Sequence, residues 1–160
     1  MSTADICDSH DEAAVIPIRL RAYGGRRTIE GTVETVRVGD SNQAIRGILA
    51  TPGGNRILVV DGGGHRARFA LVGDRLATIA SAHGWQGLVI DGMVRDTVHL
   101  AALDVGVWAR GPTPRRGPTS GPGEVGVEIE LGGIVVAPGA FLAADADGVV
   151  VLPRDPASSD

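Results

Sequence analysis

Two short segments carry the side chains best suited to chemistry. The segment from Gly73 to Leu76 (GDRL) opens a predicted helix, and Arg95-Asp96 follows an apolar run that predicts a buried strand. The first N–H groups of a helix have no partner within it and bind anions such as a carboxylate. Asp96 offers an oxygen ligand to a divalent cation such as magnesium, and Arg95 can pair with a carboxylate or a ketone oxygen. These segments therefore predict an anion site beside a metal site with one carboxylate ligand.

Both segments also have a plainer interpretation, which the sequence leaves open. Asp74 fits the N-cap position of its helix, where an aspartate side chain accepts a hydrogen bond from a backbone N–H. Asp96 fits the same position in the next helix, with Arg95 exposed to solvent. Two-residue motifs are too common to decide between the functional and the structural interpretation.

The absence of lysine limits the chemistry. All 15 basic residues are arginine. The chain therefore has no Schiff-base lysine, no P-loop lysine and no lysine for pyridoxal phosphate. Any carbonyl chemistry must use a metal ion or an arginine as its electrophile.

Other polar residues are weaker candidates. The run DGGG at 61–64 lacks the GxGxxG spacing of a dinucleotide-binding loop, so it predicts a tight turn. His65, next to it, is a candidate acid or base, but an exposed and inert side chain is the better interpretation. His83 and His99 are expected on helix surfaces, and the histidines show no metal-ligand spacing.

Composition excludes several classes of protein. Hydrophobic residues make up 43% of the 160 residues, enough for a core, whereas 24 glycines argue against a coiled coil or a helical bundle. The net charge of −4 supplies no positive field for nucleic acid. A single cysteine, Cys7, excludes a disulfide framework and a cysteine-based zinc site. The acidic N-terminus lacks a signal-peptide core and no apolar run reaches the roughly 20 residues that span a bilayer, so we expect a cytoplasmic protein.

Strands and helices are predicted to alternate over the first two thirds of the chain. The predicted strands lie at 15–23, 29–38, 57–60, 87–92 and 105–111, and the predicted helices at 3–6, 41–50, 74–83 and 97–103. This order predicts a mainly parallel sheet with right-handed crossovers. Ligands bind beyond the carboxyl ends of such strands, so the segments 62–74 and 92–96 are expected to lie together.

The last third of the chain has a different character. Residues 111–123 (GPTPRRGPTSGPG) predict a long surface loop. Arg115-Arg116 in this loop could contact RNA or a partner subunit, although two charges are few for RNA binding.

Turn signals beyond this loop predict antiparallel strands. Gly132-Gly133 predicts a two-residue hairpin, and FLAADADGVVVLP at 141–153 predicts another turn-linked pair. We infer one α/β domain over 1–160 with three layers: helices, a mainly parallel central sheet and a second, antiparallel sheet. A polar tail is expected from about residue 154.

The run from Val59 to Arg116 resembles the family of the regulator of ribonuclease E activity A, the RraA-like family. The matching motifs are VVDGGG, ALVGD, GWQGLVIDGMVRD, LDVGVWARG and PRR, followed by GGIVVAPG and ADADGVVV. This family shares its swivelling β/β/α fold with the 4-hydroxy-4-methyl-2-oxoglutarate aldolases. Its lyase pattern is Gly-Asp or Gly-Glu, then twenty residues, then Arg-Asp, and the chain matches it from Gly73 to Asp96.

The resemblance implies a role for each residue of the pattern. The backbone amides of Gly73, Asp74, Arg75 and Leu76, together with the Arg95 guanidinium, are expected to bind the pyruvate part of the substrate. Asp96 is expected to ligate a divalent metal, Mg²⁺ or Mn²⁺. Asp74 is expected to reach this metal or a catalytic water, so that Arg95 and Asp74 are the predicted catalytic residues.

The implied activity is that of a class II, metal-dependent aldolase. Such an enzyme would cleave small 2-keto acids of the 4-hydroxy-4-methyl-2-oxoglutarate type to pyruvate and decarboxylate oxaloacetate, through a metal-stabilised pyruvate enolate. The alternative is a non-enzymatic regulator that binds and inhibits ribonuclease E. The family also implies a homotrimer, possibly stacked into a hexamer. The net charge and the lack of a long apolar run predict no direct nucleic-acid or membrane partner. Nothing in the chain resembles an adenosylmethionine site.

Two positions depart from the family pattern. Ala140 follows Pro138-Gly139 where relatives usually have aspartate, and His65 stands where a serine is common. His65 is expected close enough to the site to alter its shape.

Overall fold

The fold is built on one mixed β-sheet, which has a mainly parallel half and an antiparallel half. The longest strand, at 29–38, pairs with strands of both halves. The computed structural model describes residues 1–158. The strands of this sheet are β1 (Ala14–Val15), β2 (Arg21–Ala22), β3 (Ile29–Val38), β4 (Ile57–Asp61), β5 (Ala70–Val72), β6 (Gly87–Val94), β7 (Gly106–Pro112), β8 (Gly123–Val125), β11 (Phe141–Ala144) and β12 (Val149–Leu152), while β9 (Ile129–Leu131) and β10 (Ile134–Val136) form a separate hairpin. The helices are α1 (Thr3–Ser9), α2 (Gln43–Leu49), α3 (Asp74–Ala82) and α4 (Thr97–Leu100).

The parallel half of the sheet has the order β3-β4-β6-β7. Strand β5 adds to one end of β6, also in parallel. Helices α2, α3 and α4 connect these strands and cover one face, where Ile45, Leu76 and Leu100 join a buried cluster. This confirms the predicted parallel sheet covered by helices.

The antiparallel half has the order β1-β12-β11-β3. It packs, with the β9–β10 hairpin, against the opposite face of the parallel strands. Helix α1 covers its outer side through Ile6. The predicted three layers are therefore confirmed, although the second sheet is continuous with the first because both contain β3.

Burial explains the unbroken apolar sequence of β4. Leu58 and Val60 pack into the cluster under the helices, whereas Ile57 and Val59 pack into the cluster between the two sheet halves. A strand that is covered on both faces needs apolar residues at every position.

The prediction of one strand over 15–23 is wrong, because most of this segment is not paired with another strand. Only β1 and β2 form there, and they pair with opposite edges of the sheet, β12 and β7. The alternation of apolar and polar residues nevertheless reflects which side chains are buried. Ile16, Ile18 and Leu20 pack into the cluster between the sheet halves. The segment crosses that face without a neighbouring strand, and Pro17 has no N–H to donate to one.

Other differences are local. The sequence did not predict β5 and β8 as separate strands, because each is only three residues long; β5 lies in a predicted loop and β8 starts at the end of the proline-rich loop. Strand β6 runs two residues further than predicted, to Val94, and α4 ends at Leu100 rather than 103. The last two residues of the predicted tail, 159 and 160, lie outside the described part of the chain. In residues 1–158 no helix has the length and apolar character that a membrane crossing requires.

Candidate functional site

A cleft of about 650 Å³ opens at the carboxyl ends of β5 and β6. It is lined by all six residues that the sequence predicts for the site: Gly73, Asp74, Arg75, Leu76, Arg95 and Asp96. Their roles in binding and catalysis stay predictions, but their positions make one site from two distant segments.

Backbone pairing brings the two segments together. Strand β5 ends at Val72 and β6 ends at Val94, and these two residues are register partners. The Arg95 N–H donates a hydrogen bond to the Val72 carbonyl oxygen at 3.0 Å. Gly73 and Arg95 therefore leave the sheet side by side.

Gly73 is required by space rather than by backbone conformation. Its φ of −129° is open to any residue. A Cβ at this position would lie 2.5 Å from Oδ2 of Asp96 and 3.2 Å from Cγ of Arg95. The absence of a side chain lets the Asp96 carboxylate rest directly on the first turn of α3.

Asp96 adopts a left-handed conformation, with φ 60° and ψ 40°. Its Oδ2 accepts a hydrogen bond from the Asp74 N–H at 3.1 Å. This bond is the main reason why the pKa of Asp96 lies below its usual value of 3.8, against the opposing effect of burial. The Asp74 side chain and the nearby Arg95 and His99 lower the pKa further. Asp96 is therefore an ionised carboxylate at neutral pH.

The capping interpretation does not describe either aspartate. Gly73 is the N-cap of α3 and Asp74 is its first helical residue. Asp96 occupies the N-cap position of α4, but its side chain makes no capping hydrogen bond there. Its carboxylate turns instead to the start of the neighbouring helix, α3.

Several donors in the cleft have no protein acceptor. Within residues 1–158, the backbone N–H groups of Arg75 and Leu76 make no hydrogen bond. In the same part of the chain, the Arg95 guanidinium makes neither a hydrogen bond nor a salt bridge. These two amides and the Arg95 guanidinium are thus available to an anion, whereas the predicted Asp74 amide is occupied by Asp96.

The carboxylates of the cleft suit a hard divalent cation. Asp96 and Asp74 are close enough to influence each other, and Oδ1 of Asp96 has no hydrogen-bond donor in the described residues. The same residues include no group of three or more His, Cys, Asp or Glu placed to hold a metal. Mg²⁺ accepts one or two carboxylates and completes its shell with water, so this donor set fits it.

The weaker candidates lie elsewhere. His65 is exposed and does not line the cleft, and the turn before it has left-handed glycines at Gly63 and Gly64. His83 is exposed at the end of α3, as predicted. Ala140 is buried and its carbonyl oxygen accepts a hydrogen bond from Val33.

The second wall of the cleft was not predicted from the sequence. This wall consists of Asp40, Asn42 and Arg46 at the start of α2, and of residues 116–119 in the proline-rich loop. The only signal was the pair of arginines in that loop, which predicted an RNA or partner contact. Its glycines and prolines gave no indication of which side the loop packs against.

The sequence model of the RraA-like family, described as Aldolase/RraA, matches residues 3–151. The chain belongs to this family. The resemblance seen in the sequence motifs is thereby confirmed. A relative from Thermus thermophilus, named 4-hydroxy-4-methyl-2-oxoglutarate aldolase, is 40% identical over 154 residues, which cover 96% of this chain and 93% of the relative.

Two solved structures have nearly the same fold as this chain. One is described as an S-adenosylmethionine:2-dimethylmenaquinone methyltransferase from Geobacillus kaustophilus HTA426; its TM-score is 0.96 at 42% identity, over 100% of this chain and 99% of that one. The other is described as the RNA-processing inhibitor RraA from a Thermus species, with a TM-score of 0.94 at 39% identity over 99% and 96% of the two chains. The fold class is therefore confirmed, but relatives with this fold have three different functional names. Function must be argued from the site.

Proposed function

We propose that the protein is a divalent-metal-dependent lyase. It cleaves 2-keto acids of the 4-hydroxy-4-methyl-2-oxoglutarate type to pyruvate, and it also decarboxylates oxaloacetate. The observation that supports this most is the Asp96 carboxylate held on the start of α3 beside the unpaired Arg95 guanidinium. The aldolase name of the Thermus relative agrees with it.

Arg95 and the first turn of α3 bind the 2-keto acid end of the substrate. The unpaired N–H groups of Arg75 and Leu76 suit the carboxylate. The planar Arg95 guanidinium offers two parallel N–H bonds to adjacent oxygens. This arrangement fixes the C3–C4 bond relative to the carboxylates of the cleft.

Asp96 would ligate the metal ion, and Asp74 would reach the metal or a catalytic water beside it. When bound, a divalent cation supplies Lewis-acid stabilisation of the negative charge that develops on the substrate. The Asp96 carboxylate is suited to this because its pKa is low and it does not lose its charge near neutral pH. The chain has no lysine for the alternative iminium route.

Asp74 moves the proton through a water molecule that it positions. The C4 hydroxyl loses its proton, the C3–C4 bond breaks and its electron pair forms the enolate of pyruvate. Arg95 stabilises the enolate charge. Return of a proton to C3 yields pyruvate, and the C4 fragment leaves as a second carbonyl compound. In oxaloacetate, carbon dioxide leaves instead and the same enolate forms.

The second candidate function is a regulator that binds and inhibits ribonuclease E. It is favoured by the close similarity to the structure described as an RNA-processing inhibitor. This function would use the outer surface of the protein and would not need the unpaired donors in the cleft.

One assay separates the two functions. Pyruvate release from oxaloacetate and from 4-hydroxy-4-methyl-2-oxoglutarate is measured with Mg²⁺, after exhaustive EDTA treatment and after Mn²⁺ is added back, and blanks without protein subtract spontaneous decarboxylation. We expect turnover of both acids that is lost with EDTA and restored by metal. Full turnover after EDTA would contradict the metal dependence. No turnover, with inhibition of ribonuclease E by the same preparation, would support the regulator.

A further inference from the structure

The proline-rich loop, which supplies residues 116–119 of the second wall, is held in place by hydrogen bonds to its backbone. The Ala70 N–H donates to the Arg115 carbonyl oxygen at 2.7 Å, and Arg46 donates to the Thr119 carbonyl oxygen at 2.9 Å. Gly121 N–H donates to the Gln43 side chain at 3.1 Å. Although most of its residues are exposed, the loop is fixed along one side of the cleft.

Gly117 shows how closely this loop packs. A Cβ at this position would lie 2.0 Å from the Asp40 carbonyl oxygen and 3.3 Å from Cβ of Phe69. Arg116, the preceding residue, forms a parallel β-bridge with Ala70. Ala70 begins β5, the strand that leads to Gly73. The backbone of Arg116 is therefore anchored to the same strand that positions the keto-acid site.

The charge of Arg116 is not used by the protein. Its side chain makes no hydrogen bond or salt bridge to any residue in 1–158. The other groups of this wall have partners: Arg46 bonds the Thr119 carbonyl oxygen, and Asp40 lies 3.9 Å from Arg68. Arg116 is the wall residue with a charge left for a ligand.

We propose that Arg116 binds the second carboxylate of a dicarboxylic 2-keto acid and so determines the substrate class. This inference rests on the proposed function, which places the keto-acid end at Arg95 and α3. A cleft of about 650 Å³ lies in the range for molecules much larger than pyruvate. Arg116 lines the same cleft as Arg95, so a substrate with an anion at each end is bound by an arginine from each wall.

The test measures binding, so that it does not depend on turnover. The probes are 2-oxoglutarate, which has two carboxylates but no C4 hydroxyl to cleave, and pyruvate, which has one carboxylate. Their Kd values are measured by calorimetry with Mg²⁺ for the wild type, Arg116→Gln and Arg115→Gln. Arg115 is the matched control because it is the adjacent exposed arginine and does not line the cleft.

We expect Arg116→Gln to weaken 2-oxoglutarate binding about tenfold, because one charge-assisted hydrogen bond is lost. Pyruvate binding should change less than twofold, and Arg115→Gln should change neither. Equal losses for both acids, no loss for either, or a wild type that binds neither would overturn the inference. A wild type that binds 2-oxoglutarate through Arg116 but releases no pyruvate from any 2-keto acid would refute the proposed function alone.

Discussion

Asp96 has a left-handed backbone conformation, which is uncommon for a residue other than glycine, and its carboxylate lines the cleft. A left-handed residue other than glycine costs about 1–2 kcal/mol, and aspartate and asparagine tolerate it best. Such strain concentrates at functional sites, where the surrounding structure maintains it. Here it turns the carboxylate away from α4 and onto the Asp74 N–H.

Asp96→Asn is the sharpest test of the metal site. Asparagine adopts the left-handed conformation and can still accept the hydrogen bond from Asp74, but it lacks the charge that a divalent cation needs. We expect metal-dependent pyruvate release to fall by about 100-fold or more while the unfolding transition is unchanged. Asp104→Asn is the control, since Asp104 pairs with Arg26 and does not line the cleft. Wild-type rates in a folded Asp96→Asn protein would place the metal elsewhere.

Arg95→Lys tests the geometry of the cation, because the charge is kept. A lysine ammonium is a point charge on a flexible stem and cannot give two parallel N–H bonds. Oxaloacetate decarboxylation should fall by about 10²–10³, the usual cost of one donor that stabilises a developing negative charge. Arg66→Lys, an exposed residue outside the cleft, should be neutral. Unchanged decarboxylation in Arg95→Lys would refute the catalytic role of Arg95.

At the scale of elements, the site depends on the junction between β5 and β6. The two strands end together, so α3 starts next to the residues that follow β6. This junction does not tolerate a side chain at Gly73, because the Asp96 carboxylate lies directly against the start of α3 there. Side chains added at the junction should therefore affect activity more than stability.

Gly73→Ala tests whether a side chain at this junction lowers activity without lowering stability. The new methyl group would displace the Asp96 carboxylate and the Arg95 stem, which are side-chain atoms that can move at small cost to the fold. We expect pyruvate release to fall at least tenfold, with a change of less than about 1 kcal/mol in the free energy of unfolding. Gly47→Ala is the matched control in α2, where nothing lies within 4 Å, and it should raise stability slightly at full activity. Equal activity of the two variants would show that the close packing at Gly73 has no functional role.

The periodicity of apolar residues predicted a strand correctly where the alternating segment is also paired with neighbouring strands. Strand β3 was predicted with its observed bounds. The hairpin at Gly132-Gly133 was predicted because glycine readily adopts the positive φ of a two-residue turn, and both glycines have a positive φ in the structure. The segment 15–23 shows the limit, since its alternation comes from lying across a sheet face. Topology brought Gly73 and Asp96 together, but β5 was too short to detect. The position of Arg116 depends on long-range packing that no local pattern encodes.

Helix α1 is attached by the packing of Ile6 and by the carboxylate of Asp145. Asp145, beyond β11, accepts hydrogen bonds from the Thr3 N–H at 2.8 Å and from the Thr3 hydroxyl at 2.7 Å. Burial raises the pKa of Asp145, but the hydrogen bonds from Thr3 and from the backbone of Asp147 and Gly148 outweigh it, so the pKa lies below 3.8. Because the folded-state pKa is lowered, the stabilisation is present above pH 3.8 and is lost as the pH falls through the folded-state value.

Asp145→Asn should therefore destabilise the protein by about 1 kcal/mol at neutral pH, a value reduced by solvent exposure of the pair. The difference from the wild type should shrink as the pH falls below 3.8. Urea unfolding at several pH values measures it, with Asp147→Asn on the same turn as control. A difference that stays constant with pH would mean that the ionised carboxylate does not stabilise α1.

For the whole molecule, the exposed apolar side chains bear on assembly. The stretches at 125–131 (VGVEIEL) and 135–144 (VVAPGAFLAA) are rich in apolar residues, but most of these apolar side chains are buried within the chain. Val125 and Val135 remain exposed, and Val98 is exposed to 84%. Val98 lies on α4, two residues after Asp96. A highly exposed apolar side chain thus lies on the helix that begins directly after Asp96, a residue of the cleft.

We propose that the chain forms a ring-shaped homotrimer with the cleft at a subunit boundary, as its family resemblance implies. Light scattering at micromolar concentration should give the mass of three chains of 16.4 kDa, or of six if two rings stack. Val98→Asp should shift this mass toward one chain, because a buried, unpaired carboxylate at the boundary is costly. Val15→Asp is the control: Val15 is exposed to 53% on edge strand β1 and does not line the cleft. A monomer mass for the wild type would refute the assembly, and dissociation by Val15→Asp alone would place the boundary at the other edge of the sheet.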